Sequence, residues 1–417
     1  MNLSLLELLR CPYCGNRLSL VDNISLKQLG TTIDSGVLGC ECCAFPVVSG
    51  IPTLIANDTT RETVRALEAG HHETALFLML DLDNETRRAD FQTLLADASK
   101  PTYRDALDIL SRDAEGTYFI YRFSDPTYLA AETLLRAVTQ HQTKPQRWLD
   151  LCGGSGHLTR VFDNINPDHK NDCCNVLVDV TFWKLWLATR FTAPRCTPVC
   201  CDANHPLPMV DDIFQMILLS DAFPYIWHKR LLANEMTRVT DSDGLIVMPH
   251  LHSALGDNMS AGNTLTPAAY QNLFQQFQPR LFSDNRILSD VLNNRILDLS
   301  QSMSPSELGT EPALTLIASR NENVFRKYEV PEPPPISGEL RVNPLYQISH
   351  QDGCSVLTLV FPSPEYEEEF RAVRDYLPKT ITLTGSSNST VTPETLEYHN
   401  AELRRRKILL DLPHHYY

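Results

Sequence analysis

Arg147-Trp148-Leu149-Asp150-Leu151-Cys152-Gly153-Gly154-Ser155-Gly156-His157-Leu158-Thr159 runs from a short apolar strand through a turn of small residues into the start of a helix. Glycines let a backbone approach a ligand closely and adopt positive φ. At the end of the first strand of a doubly wound sheet such a turn lines the ligand crevice. Working outward, short apolar runs at 147–151, 175–179, 198–201, 214–220, 245–250, 286–288 and 314–318 alternate with stretches able to form helices. Strand–helix alternation predicts an α/β fold with a mostly parallel sheet and helices on both faces.

Acids punctuate the strand ends. Val176-Leu177-Val178-Asp179 closes the second strand with a carboxylate suited to two ribose hydroxyls. Cys201-Asp202-Ala203 closes the third with one suited to an adenine amino group. The fourth ends in Ser220-Asp221, and Glu235-Met236-Thr237-Arg238-Val239-Thr240 leads to Asp243-Gly244-Leu245. The spacing G-x-G-x-x-G of a dinucleotide site is not met by Gly153-Gly154-Ser155-Gly156.

In order and spacing, residues 118–320 resemble the class I S-adenosylmethionine-dependent methyltransferases of the type 11 group. The resemblance implies a Rossmann-like sheet and a cofactor held by Asp150, Cys152, Gly153, Gly154, Gly156, Asp179, Asp202, Ala203 and Ser220. Asp150 would organise the turn, Asp179 hold the ribose and Asp202 the adenine. Arg122, in Tyr118-Phe119-Ile120-Tyr121-Arg122, would pair with the cofactor carboxylate from a lid. Cys152 stands where that family carries its first glycine, and Gln215 where it carries an acid. Acceptor chemistry in this fold sits at the ends of the fourth and fifth strands, so His250, His252 and Asp221 are the candidate catalytic bases.

Before this region lie two thiol knuckles. Cys11-Pro-Tyr-Cys14 and Cys40-Glu-Cys-Cys43 offer four thiolates for a tetrahedral zinc, with Cys42 a competitor for Cys40 or Cys43. The two-residue spacer selects Cys11, Cys14, Cys40 and Cys43. The flanks, Leu5-Leu6-Glu7-Leu8-Leu9-Arg10-Cys11-Pro12 and Phe45-Pro46-Val47-Val48-Ser49-Gly50-Ile51-Pro52, resemble the zinc-ribbon family that includes the activator subunit of tRNA and release-factor methyltransferases. In that family the ribbon stabilises a methyltransferase partner; here a partner candidate follows in the same chain.

The expected organisation is a zinc ribbon (1–57), a helical connector (58–114), a methyltransferase domain (115–328) and, after the stiff Pro331-Glu332-Pro333-Pro334-Pro335, an α+β extension (336–417). The extension is read with a strand at 356–361 and helices at 365–376 and 393–410. His71-His72 reads as a helix end, and Cys173, Cys174, Cys196, Cys200 and Cys201 as buried reduced thiols rather than a second metal site.

Lys+Arg total 36 against 51 Asp+Glu, a net charge of −15, which disfavours a nucleic-acid acceptor. No apolar run nears the ~20 residues of a membrane span. MNLSLLELLR has no signal-peptide pattern, so a cytoplasmic location with reduced cysteines is expected. The leading function is transfer of a methyl group from S-adenosylmethionine to oxygen or nitrogen of a small molecule. An RNA- or protein-modifying enzyme guided by the ribbon and a non-catalytic cofactor-binding scaffold are the competing classes. Ribbon and extension are the candidate surfaces for a protein partner or a second copy of the chain.

Overall fold

Trp148–Leu151 (β3) and Asn175–Asp179 (β4) are buried at every position, the pattern of strands covered on both faces. They sit at the heart of a seven-stranded sheet in the computed structural model, which describes all residues except 97–100, 112–114, 141–145, 166–173, 259, 261, 352–353 and 385–399. The other strands are Thr197–Cys200 (β5), Phe214–Leu218 (β6), Thr240–His252 (β7), Pro279–Ser283 (β8) and Ala313–Ala318 (β9). Ahead of them, Thr32–Gly39 (β1) and Ala44–Val48 (β2) form an antiparallel ribbon hairpin.

Along the sheet the order is β5-β4-β3-β6-β7-β9-β8. The pairs β3–β4, β4–β5, β3–β6 and β6–β7 are parallel, whereas β9 runs antiparallel to both β7 and β8. The first five strands therefore follow the doubly wound 3-2-1-4-5 order, with an antiparallel strand inserted before the sixth. This is the Rossmann-like methyltransferase sheet expected from the sequence. Its order reverses between β3 and β6, so a ligand crevice belongs outside the carboxyl ends of these strands.

The sixth strand corrects one expectation. Residues 286–288 lie in a helix, Asp284–Ser289, because Ser283 caps it by accepting the Arg286 N–H at 3.2 Å. The strand is displaced to Pro279–Ser283, whose only sequence mark is a short apolar pair, Leu281-Phe282.

Helices Asp58–Glu68 (α1), His72–Met79 (α2), Glu85–Ala96 (α3) and Tyr103–Leu110 (α4) form the connector. They bury Leu67, Ala75, Phe77, Phe91 and Leu107 with Trp186 beneath one face of the sheet. His71 and His72 do start a helix, and His72 Nδ1 lies 2.9 Å from Ser35 Oγ. Glu115–Tyr121 (α5) and Pro126–Thr139 (α6) follow; Asp125 caps α6 by accepting the Tyr128 N–H at 2.6 Å, with Pro126 at the first helical position.

The ribbon docks on the β5 edge. Thr53 bridges Cys200 in parallel, the Leu54 N–H donates to the Cys200 carbonyl at 2.7 Å, and Leu9 bridges Met209. Leu5, Leu9, Phe45 and Leu54 then share one apolar core with Val176, Val178 and Val199 of the sheet. An edge strand that would present unpaired backbone groups is thereby covered.

The extension has its own core of Leu345, Leu357, Val373, Leu377 and Ile408. Its strand Cys354–Leu359 pairs with Tyr346–Gln351 and Thr380–Thr384. The expected helix over 365–376 is a short α-helix, Pro364–Glu369, followed by a 3-10 turn, Arg371–Asp375. Most of the helix expected over 393–410 lies outside the described residues; within them, Asn400–Arg405 is helical and Leu409–Leu412 is a strand paired with Glu339–Val342. Tyr416 reaches back to the main domain, where it is buried: its hydroxyl donates to the Phe119 carbonyl at 2.7 Å and accepts from His157 Nε2 at 2.7 Å.

Candidate functional site

The turn after β3 is built around conformations that side chains resist. Cys152 has φ of 59°, Gly154 57° and Gly156 79°. The position where the resembling family carries glycine is thus left-handed here as well, and the thiol is held there at a cost of about 1–2 kcal/mol. Gly153 cannot be replaced without movement: a Cβ would stand 2.5 Å from Asp150 Cγ and 2.6 Å from Leu177 Cδ1.

Asp150 and Asp179 meet at this turn, and Asp202 follows the end of the neighbouring β5. Asp150 is buried and accepts from Thr159 Oγ1 at 2.6 Å; burial pushes its carboxyl up to about 7. Asp179 accepts the Gly154 N–H at 3.0 Å on one oxygen and the Thr181 N–H at 2.8 Å on the other. A carboxylate has roughly four acceptor positions, so about two remain beyond these backbone bonds. Burial raises the Asp179 carboxyl, and Lys184 counteracts this. Asp202 is half-buried, with one oxygen held by the Asn204 backbone at 2.8 Å and side chain at 2.9 Å. Burial first, then the charges of Asp179, Asp150 and Asp202, drive the Cys152 thiol far above its ordinary range. Ala203 is buried beside them, and the buried Ser220 Oγ has no hydrogen-bond partner among the described residues. The exposed Val180 supplies an apolar surface next to Asp179.

Helix α5 covers the turn. The Phe119 ring lies 3.3 Å from where a Gly154 Cβ would be, and Lys184 sits 5.2 Å from the centre of that ring. Arg122 departs from expectation. Its Nη1 donates to both oxygens of Asp125 at 2.8 Å, also contacts Thr127, and its guanidinium lies 5.1 Å from the Tyr118 ring centre. A buried guanidinium requires a partner, and Asp125, three residues on and already at the helix start, supplies it. Arg122 is therefore already paired within the protein, and its charge is felt at Asp150 and Asp221.

At the ends of β6 and β7, His250, His252 and Asp221 come together. His252 Nε2 lies 3.2 Å from Asp221 Oδ1, His250 Nδ1 lies 2.8 Å from Asp284 Oδ2, and the two imidazoles meet edge to face with centres 4.7 Å apart. Asp221 and His250 have φ of 59° and 57°. Tyr118 donates weakly to Asp221 at 3.4 Å. Burial lowers the His250 pKa, but the Asp284 bond and the Asp221 charge outweigh it and lift the imidazole to about 9. The Asp221 carboxyl stays below its ordinary range because His252 and His250 offset its burial.

Asp284 and Glu369 were not marked by the sequence, whereas Phe119 lies in the aromatic segment expected to form a lid. Asp284 arrives through the displaced β8, and Glu369 comes from the extension, where burial raises its carboxyl and the charges of Asp221, His250 and His252 act on it. No periodicity or motif announces either.

In the ribbon, the thiols that lie within 4.8 Å of one another are those of Cys11, Cys14, Cys40 and Cys42. Cys42 replaces the expected Cys43. The turn closes through a Cys40 N–H bond to the Cys43 carbonyl, which leaves Cys42 at the tip facing the first knuckle; the Cys43 sulfur touches that of Cys42 at 3.3 Å but falls outside the group. Sulfur–sulfur separations are 3.7 Å for Cys11–Cys42, 3.7 Å for Cys14–Cys40 and 3.6 Å for Cys40–Cys42. Four sulfurs at ~2.3 Å around a tetrahedral zinc stand about 3.8 Å apart, so this donor set fits the ion. Elsewhere, Cys196, Cys200 and Cys201 are buried with raised thiols, and Cys173 lies outside the described residues.

A cavity of about 680 Å³ between α6 and the extension is lined by Arg136, Arg160, Arg404 and Lys407. Much of its charge is internally matched: Arg160 faces Asp411 at 3.6 Å and Lys407 faces Glu132 at 2.7 Å. No helix among the described residues is long and apolar enough to cross a membrane.

No protein-family model matches the sequence, and no curated protein matches it. Among solved structures, the chain is similar to YcgJ from Bacillus subtilis (16% identity, 48% of this chain and 98% of that one, TM-score 0.32). It is also similar to a Haloferax volcanii complex between the Trm112 methyltransferase activator and a putative methyltransferase (13% identity, 45% and 88%, TM-score 0.32). A third is Haemonchus contortus phosphoethanolamine N-methyltransferase 2, solved with phosphomonomethylethanolamine and S-adenosylhomocysteine (13% identity, 53% and 60%, TM-score 0.35). The fold assignment rests on the sheet order itself.

Proposed function

We propose that this chain is an S-adenosylmethionine-dependent methyltransferase acting on oxygen or nitrogen of a small-molecule acceptor. The observation that supports it most is the meeting of Asp150 and Asp179 at the left-handed Cys152 turn, at the carboxyl rim where the strand order reverses, with Asp202 closing the neighbouring strand. The two free acceptor positions of Asp179 suit a pair of ribose hydroxyls, and Asp202 suits an exocyclic amine. Backbone N–H groups of the glycine turn and the unpartnered Ser220 Oγ suit the methionine end. Phe119 closes over this floor, so ligand entry requires α5 to shift. The cofactor, when bound, supplies an activated methyl group.

The chain's own part is placement and proton handling. His252, hydrogen-bonded to Asp221, is suited to accept a proton from an acceptor hydroxyl or amine. His250, oriented by the Asp284 carboxylate on Nδ1, stands beside the place where the acceptor would sit. The net charge of −15 favours a small acceptor over nucleic acid. The ribbon holds a structural zinc through Cys11, Cys14, Cys40 and Cys42 and acts in cis, and reduced thiols suit a cytoplasmic location.

Calorimetry with S-adenosylhomocysteine tests the reading. Wild-type protein should bind one equivalent, and Asp179→Ala should weaken binding tenfold or more, ~1.4 kcal/mol. Absence of binding by the wild type would refute the assignment.

A further inference from the structure

Two imidazoles and a carboxylate on one accessible rim invite a question beyond proton transfer. Asp221, His250 and His252 each present a ligating atom within 4.8 Å of the other two. Behind His250 stands Asp284, 2.8 Å from Nδ1 and itself fixed by Thr315 Oγ1 at 2.7 Å. A carboxylate behind one imidazole nitrogen is the arrangement that orients a metal-ligating histidine and leaves the other nitrogen as donor. The 3.2 Å between His252 Nε2 and Asp221 Oδ1 has a second meaning. Two donors at ~2.1 Å from one metal stand about 3.0 Å apart at a right angle and about 3.4 Å apart at the tetrahedral angle. The observed separation lies between these limits. His252 Nδ1 is buried with no hydrogen-bond partner among the described residues, so this ring is not fully satisfied by its protein neighbours.

Backbone strain points the same way. Asp221 and His250 are both left-handed, and non-glycine residues are kept so mainly where the surroundings over-determine them, as at ligand clamps. The three side chains remain between 13% and 25% exposed, so the group is not sealed from solvent.

We propose that Asp221, His250 and His252 form a second metal site, distinct from the ribbon, which takes a divalent transition cation and binds an acceptor through a hydroxyl oxygen. Imidazole with carboxylate suits zinc, iron, manganese, cobalt or nickel, whereas magnesium and calcium prefer oxygen donors throughout. Three protein ligands leave open positions for the acceptor. A metal-bound hydroxyl ionises near neutral pH, which makes the oxygen nucleophilic. The reaction balances without redox change: the hydroxyl proton passes to water, an oxygen lone pair forms the new O–CH3 bond, and the S–CH3 pair returns to sulfur, turning the sulfonium into a neutral thioether. The identity of the acceptor rests on the methyl-transfer reading; the metal site does not.

The full-length protein, with zinc retained in the ribbon, is titrated with cobalt(II) and followed by visible absorption and by bound metal per chain after equilibrium dialysis. The expected result is one cobalt per chain with ligand-field bands and no thiolate-to-cobalt charge transfer. That cobalt should be lost in H250A/H252A and bound 10–100-fold more weakly in Asp284→Asn. No cobalt beyond the ribbon's metal in the wild type, or the same affinity in both variants, overturns the proposal and leaves the His252–Asp221 pair as a simple base. Should H250A/H252A fail to fold, the wild-type spectrum and Asp284→Asn decide the matter. S-adenosylhomocysteine binding is read separately, so a failed cofactor assignment and a failed metal site give different results.

Discussion

The ribbon and the extension both pack against the central domain, yet they do different things to it. The ribbon covers the β5 edge and shares its core with the far side of the sheet. The extension reaches back over α5: Tyr416 fastens the Phe119 backbone above the glycine turn, and the charges of Asp221, His250 and His252 are felt at Glu369. One module covers a sheet edge and the other holds a helix over the turn. A thiol-rich module with a strong sequence signature thus has the more passive place, and a tail without a motif has the more intimate one.

Removing the ribbon's metal should break this contrast most severely. Cys11→Ser deletes one of four thiolates; structural zinc carries on the order of 10 kcal/mol of apparent folding energy, so the ribbon should unfold and uncover β5. Zinc content and solubility are the readouts, and soluble, zinc-free, cooperatively folded protein would show that the ribbon is no staple. Next comes Tyr416→Ala, which empties a buried aromatic site and strands the His157 Nε2 hydrogen. A loss of about 3–5 kcal/mol is expected in denaturant unfolding. A loss below about 1 kcal/mol would mean that the extension rests loosely on the domain.

Smaller effects sharpen the comparison. Burial, aided by the Arg122 charge, pushes His157 down to about 3, so the folded chain keeps this ring neutral while the unfolded chain protonates it near its usual value. The stability this confers is complete above about pH 6.5 and is lost as pH falls toward 3. In His157→Gln the melting temperature should fall less steeply between pH 6.5 and 4; an unchanged slope would remove His157 from the acid response. Finally, Phe119→Ala should speed S-adenosylhomocysteine association several-fold in stopped-flow measurements. A slower or unchanged rate would mean that α5 does not restrict entry.

How much of this could be read beforehand follows from range. The strand–turn–helix at 147–159 and the acids at 179 and 202 are local patterns, and the fold sets them side by side without further information. The knuckles were equally plain, but the choice between Cys42 and Cys43 was settled by a turn hydrogen bond that no spacing rule contains. The pairing of Arg122 with Asp125 was not legible, because Asp125 has the sequence context of a helix cap alone. The sixth strand was misplaced because a serine cap converted an apolar run into a helix. Phe119 was legible as part of an aromatic lid, but Asp284 reaches His250 through register and long-range packing, for which single-sequence periodicity has no term.

The bond from Tyr416 to Phe119 spans 297 residues. At ~5–20 residues per second of synthesis, the two partners emerge from a ribosome roughly 15–60 s apart. The last strand of the sheet ends at Ala318, 98 residues before Tyr416, so for roughly 5–20 s the nascent sheet can exist before that bond forms. Through that window the aromatic ring lies over its glycine floor without the hydrogen bond that the far end of the polypeptide later provides.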